Sequence, residues 1–234
     1  MVKKVSRYLN KPILRRVFVY GLLSPGGIML GVITAAYIFV IVYLGAKGGS
    51  CGGCDVEGRR AILMPLLFIS QWWLTLGLVG VYATEIVDFF QDDVLSFFLS
   101  KPVSRYSYFI SVSAGAFLVG SVYLFFSGLL FEVLLLHKTG IWFWGTFAVV
   151  ADHMFLNGAL LAFCLFTFVL FRNRSIALIF PSVLVFVPIM LFPGYVFRSE
   201  EMISKSPLII SALAIFIIIA VGLTIQIFRN RDIS

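Results

Sequence analysis

The sequence predicts an all-α membrane protein, a single domain over residues 1–234 with six transmembrane helices. Three observations lead there. Of the 234 residues, 61% are hydrophobic and only 12% are charged, with a mean hydropathy of +1.04, more apolar surface than a soluble core can hide. The apolar residues gather in runs of about 20 or more, the length a helix needs to cross hydrocarbon. Lys and Arg sit between these runs, where a bilayer has its charged edges.

The N-terminal stretch, residues 1–24, reads as an interfacial amphipathic helix. Lys4, Arg7, Lys11 and Arg15 recur at helical spacing, with Val5, Leu9, Ile13, Val17 and Tyr20 broadly opposite, so the cations face lipid phosphates. Ser24-Pro25-Gly26-Gly27 ends it. The runs that follow, at 26–45, 62–87, 106–136, 141–171, 175–195 and 208–228, are the expected spans. Those at 106–136 and 141–171 are long enough to tilt. Pro181 and Pro188 should kink the fifth. No interval between runs is long enough for a soluble core of its own. The first run is long and follows a basic segment, so no cleaved leader is expected.

Six spans put both termini on one face. Of the 18 Lys and Arg, all but Lys47, Arg59, Arg60, Lys138, Arg198 and Lys205 fall on that face, which makes it cytoplasmic. The predicted location is therefore the cell membrane, multi-pass, with both termini inside. The net charge of +7 is explained by attraction to anionic lipid. The cations flank spans and form no patch with interleaved aromatics, so nucleic acid is not an expected partner.

Between the second and third spans, residues 88–105 are too polar for lipid and too aromatic for a plain linker. Val87, Phe90, Val94 and Phe97 or Phe98 recur at helical spacing, with Asp88, Gln91, Asp92, Asp93 and Ser96 between them, an amphipathic helix. It must stop by Lys101, because Pro102 disfavours helical backbone in the residue before it. Such a helix is rooted in a span at each end, so force on it moves both.

Leu99-Ser100-Lys101-Pro102-Val103-Ser104-Arg105, preceded by Glu85 at the end of the second span, resembles the permease subunit of ABC-2 type transporters. In that family the loop after the second of six spans carries an acidic residue, a Gly-Thr pair, several leucines and then Ser-x-Pro-x-Ser-Arg. Here Asp93-Val94 replaces Gly-Thr, and Ser111-Val112 stands where Gly-Lys often follows. The resemblance implies an exporter in which this loop docks in a groove of a separate ATPase, two permeases pairing with two ATPases. The second permease is another copy or a sister chain. Phe90, Val94 and Phe98 would form the docking ridge, with Asp92, Asp93, Lys101, Pro102 and Arg105 around it. ATP and Mg would then belong to the partner, and no cofactor to this chain. None of the seven lysines completes G-x-x-x-x-G-K-[ST], so no phosphate-cradling loop is present to make this chain the ATPase.

Other residues are chemically conspicuous. Cys51 and Cys54 bracket two glycines in an outer loop; a disulfide, free thiols or an incomplete metal site all fit, and two thiols alone are too few for zinc. Glu132, Asp152 and His153 interrupt apolar runs, where ionisable groups need partners or water. They suit a polar patch on a substrate path, a proton relay, or a satisfied structural set. Trp142 and Trp144 open the fourth span as an aromatic anchor should, and Trp72-Trp73 lies deeper. Two rival functions fit parts of the pattern. A structural subunit of another membrane complex explains the spans but not Ser100–Arg105. A small intramembrane enzyme would use Glu132, Asp152, His153 or the cysteines, which lack a nucleophile–base spacing.

Overall fold

The computed structural model describes residues 10–47, 56–89, 104–140, 142–171, 173, 175–177, 179 and 199–230. Cys51, Cys54, residues 90–103 and most of the expected fifth span lie outside them. Helix α1, Lys11–Leu22, opens at Asn10, whose side chain accepts from the Ile13 N–H at 3.3 Å, with Pro12 in the first turn, where a missing N–H costs nothing. Ser24 then caps α2, Pro25–Lys47, taking the Gly27 N–H at 3.1 Å. Helix α3 is Val56–Phe89 and carries Pro65 internally.

Ser104 starts α4, Arg105–Thr139, by accepting from the Ser107 N–H. It ends on Gly140 at φ +71°, whose N–H returns to Leu136 O at 2.8 Å. This left-handed stop suits glycine, and His137 and Lys138 in the last turn meet the negative end of the dipole. Helix α5 is Gly145–Phe171 and α6 is Ser199–Asn230.

Four of these helices contain stretches long and apolar enough to cross a membrane: Pro25–Tyr43, Met64–Tyr82, Ser107–Lys138 and Gly145–Phe171. A shorter apolar stretch, Ala214–Ile227, lies in α6. The fourth run begins at Gly145, not at 141. Trp142 and Trp144 are apolar by composition, yet 142–144 precede the helix. Helix α6 begins at Ser199, not near 208, and runs through Pro207 without a break; its first turns carry Ser199, Glu200, Glu201, Ser204 and Lys205, which keep them out of an apolar run. The fifth run is described only at 175–177 and 179, which are helical.

Close contacts give the directions. Leu30 fills the space beside Gly77 and Val81 that beside Gly26, so α2 and α3 are antiparallel. Tyr123 packs at Gly31, and Lys138 Nζ lies 3.8 Å from the Tyr43 ring centroid, so α2 and α4 are parallel. Asn157 meets Gly120 and Val150 meets Gly128, so α4 and α5 are antiparallel. Ile217 meets Gly158, while Val221 and Ile225 join the cluster containing Leu161 and Leu165; α6 therefore runs in the same direction as α5. One core cluster, including Leu78, Tyr82, Tyr108, Phe109, Val112 and Leu165, fills the end near the 90–103 link. A second, around Ile38, Val42, Leu67, Phe131 and Val149, fills the other end.

Helix α1 is amphipathic as expected, but its apolar face covers protein. Ile13 and Val17 are buried in the first cluster, with Val17 against Gly115 of α4. The Asn10 N–H donates to Ser111 Oγ at 2.8 Å, while Tyr82 Oη of α3 and Tyr123 Oη of α4 donate to Gly21 O and Leu22 O at 2.9 and 3.0 Å. Tyr20, placed by periodicity on the apolar side, is 62% exposed.

Candidate functional site

Inside the bundle, α3, α4 and α5 present polar side chains to one another at intervals along their length. Gln71 is fully buried on α3, and its Nε2 donates to Ser127 Oγ of α4 at 2.8 Å. The Ser127 hydroxyl has Leu124 O at 2.8 Å and Gln71 Oε1 at 3.2 Å as acceptors. Thr75, also buried, turns its hydroxyl back to Gln71 O, the back-bond by which a threonine inside a helix satisfies its own hydroxyl.

Glu132, fully buried on α4, reaches the start of α5. It accepts from Thr146 Oγ1 at 2.6 Å and from the Phe143 backbone N–H. Here a carboxylate sits at a helix N-terminus, where unpaired N–H groups and the dipole favour an anion. That bonding also accounts for the late start of α5: the chain at Phe143 is held by Glu132 before the helix turns begin.

His153 lies two turns deeper and is 1% exposed. Its Nδ1 is 2.7 Å from Val149 O. A carbonyl accepts only, so Nδ1 carries the proton and Nε2 of the neutral ring is an acceptor. Nε2 has no hydrogen-bond partner. The ring is held edge-on by Phe68, 4.8 Å between centroids, and Trp72, 6.0 Å. One turn further, Asn157 is fully buried, and neither its Oδ1 nor its Nδ2 has a partner. A residue at i+4 shares the face of His153, so α5 turns two polar side chains into the bundle with unused hydrogen-bonding capacity.

Hydrogen bonding does not link His153 to the other two ionisable residues singled out in the sequence. Glu132 bonds at residues 143 and 146, and neither ring nitrogen of His153 bonds Glu132 or Asp152. Asp152 is half-buried, one position and so about 100° around the helix from His153. Asn157 and Gln71 do not ionise and so do not stand out as charges in an apolar run; their sequence signal is spacing, since Asn157 follows His153 by four residues in an otherwise apolar run. Of the docking residues, Phe90, Asp92, Asp93, Val94, Phe98, Lys101 and Pro102 lie outside the described residues. Arg105 is the first residue of α4. Trp144 is 75% exposed and packs with Trp142 and Phe147 at the start of α5, while Trp73 is 61% exposed and Trp72 turns inward to His153. Among the described residues, no three His, Cys, Asp or Glu gather as metal ligands, and Cys164 is a buried free thiol.

Among the described residues, fold and site define an all-helical, multi-pass membrane protein, with four apolar helices of spanning length and polar side chains buried within an apolar core. Compared with known proteins, the chain matches no family model, no curated protein and no solved structure.

Proposed function

We propose that this chain is the permease subunit of an ABC-2-like exporter, moved by a separate ATPase that docks on residues 88–105. The observation that carries the reading is the Leu99–Arg105 sequence in its setting. It joins α3 and α4, an antiparallel pair bonded through Gln71 and Ser127 and braced together by α1 through Tyr82 and Tyr123. A push on that link is delivered to two spans and to the helix beside them. The six-span arrangement is part of the proposal: α5 and α6 run in the same direction, so an odd number of crossings is needed between Phe171 and Ser199, as one span at 175–195 supplies. Two permeases and two ATPases, with ATP and Mg on the ATPases, complete the assembly, and the apolar outer faces of α2 and α6 are turned to lipid or to the second permease. The direction, export, follows the resemblance.

Exchanging Val94 or Phe98 for Asp puts a charge in the docking ridge, where a desolvated carboxylate has no partner. Val94→Asp and Phe98→Asp are expected to elute as folded protein in detergent but to lose a co-purifying ATPase that the unaltered chain retains. Undiminished ATPase recovery with both variants removes the docking assignment.

A further inference from the structure

Helix α1 meets α4 with one face and leaves the other open. Lys11, Arg15 and Arg16 are exposed there, and with Pro12, Val19 and Tyr20 they line a concavity of about 560 Å³. The helix itself contains no acidic residue. The chemistry is graded along the axis. Lys11, Arg15 and Val19 follow one another at four-residue intervals, as do Arg16 and Tyr20, with the Arg16 guanidinium 5.5 Å from the Tyr20 ring centroid. Each row thus passes from cation to exposed apolar surface, Val19 at 43% and Tyr20 at 62%, in the direction of Pro25, where the first apolar span begins.

We infer that this concavity binds the phosphodiester headgroup of an anionic phospholipid, with Lys11, Arg15 and Arg16 on the phosphate and Val19 and Tyr20 against the glycerol and upper acyl chains. Three cations supply the charge complement, and the apolar end distinguishes a lipid from free phosphate, which would gain nothing from Val19 or Tyr20. The sequence alone suggested general attraction along a basic flank; the fold makes a site of it by fixing the opposite face. Ile13 and Val17 are buried, and the ends of α1 are bonded to Ser111, Tyr82 and Tyr123. A lipid held there loads α3 and α4 together, the two helices that residues 90–103 connect. That last consequence, lipid charge setting how well the link drives the spans, rests on the permease reading. The binding site does not.

The test is native mass spectrometry of the detergent-purified chain titrated with phosphatidylglycerol or phosphatidylcholine. The unaltered protein should retain phosphatidylglycerol and little phosphatidylcholine, and excess inorganic phosphate should not displace it. Lys11→Gln, Arg15→Gln and Arg16→Gln together should weaken retention on the order of 100-fold, about 5-fold per cation. Val19→Ser with Tyr20→Ser should weaken it with the charge intact. The decisive control removes the same charge elsewhere: Lys3→Gln, Lys4→Gln and Arg7→Gln should leave most retention in place. Equal loss in that control means diffuse attraction by the basic flank, and displacement by inorganic phosphate means an anion site only; either overturns the inference. Retention is read on the isolated chain, so its outcome is separate from whether an ATPase co-purifies.

Discussion

Glu132 and Asn157 are both fully buried polar residues in the bundle, and they are opposite cases. The carboxylate has two donors at the start of α5, a hydroxyl and a backbone N–H, while the carboxamide has none. Removing a satisfied buried acceptor orphans its donors and costs about 2–3 kcal/mol, whereas replacing an unsatisfied group by an apolar one of similar shape is near neutral or stabilising. Glu132→Ala should therefore lower the melting temperature in detergent and Asn157→Leu should hold or raise it, measured by fluorescence-detected size exclusion. A loss at Asn157→Leu as large as at Glu132→Ala would show that the amide has a partner in the folded protein. The sequence marks Glu132 and His153 because an ionisable residue interrupts an apolar run. It could not say that Glu132 caps α5 while His153 turns to Phe68 and Trp72, since that depends on which helices are neighbours, a non-local fact.

Among the elements, the period of α1 and the apolar length of α2 to α5 are written locally and were readable. What the apolar face of α1 covers was not, because lipid and a glycine-notched helix favour the same pattern of Ile and Val. The notches themselves are the device by which α4 brings its neighbours close. A methyl placed on Gly128 would lie 2.3 Å from Val150 Cγ2, and one on Gly115 2.8 Å from Val17 Cγ1. Small residues at such crossings let helices pack where the hydrophobic effect gives no drive between them. Gly128→Ala is expected to cost about 1–3 kcal/mol by overpacking, and Val150→Ala in the same chain should recover part of the loss. The coupling is measured by a double-mutant cycle of detergent stability; additive losses would contradict the contact. Boundaries failed where composition and helix formation diverge, at Trp142–Trp144, apolar but ahead of the helix, and at Ser199–Lys205, polar but within it.

Across the whole molecule, α3, α4 and α5 are tied by polar contacts and notched packing, while α2 and α6 leave broad apolar faces open, among them Met29, Val32 and Ile33 on α2 and Ile215, Ile218 and Ile219 on α6. An inner unit with polar crosslinks moves as one body more readily than it deforms, and the outer helices can slide against lipid or a second subunit. On the proposed permease reading, the link between α3 and α4 is where an ATPase would push such a body. The most direct test places a photo-crosslinking amino acid at Phe98 and, as a control, at Trp144, exposed at the opposite end of the bundle. Irradiation of cells should join the chain to one soluble, nucleotide-binding ATPase from position 98 and not from position 144. Repeated crosslinking at 98 that yields only lipid or other membrane proteins, with no ATPase, would contradict the account.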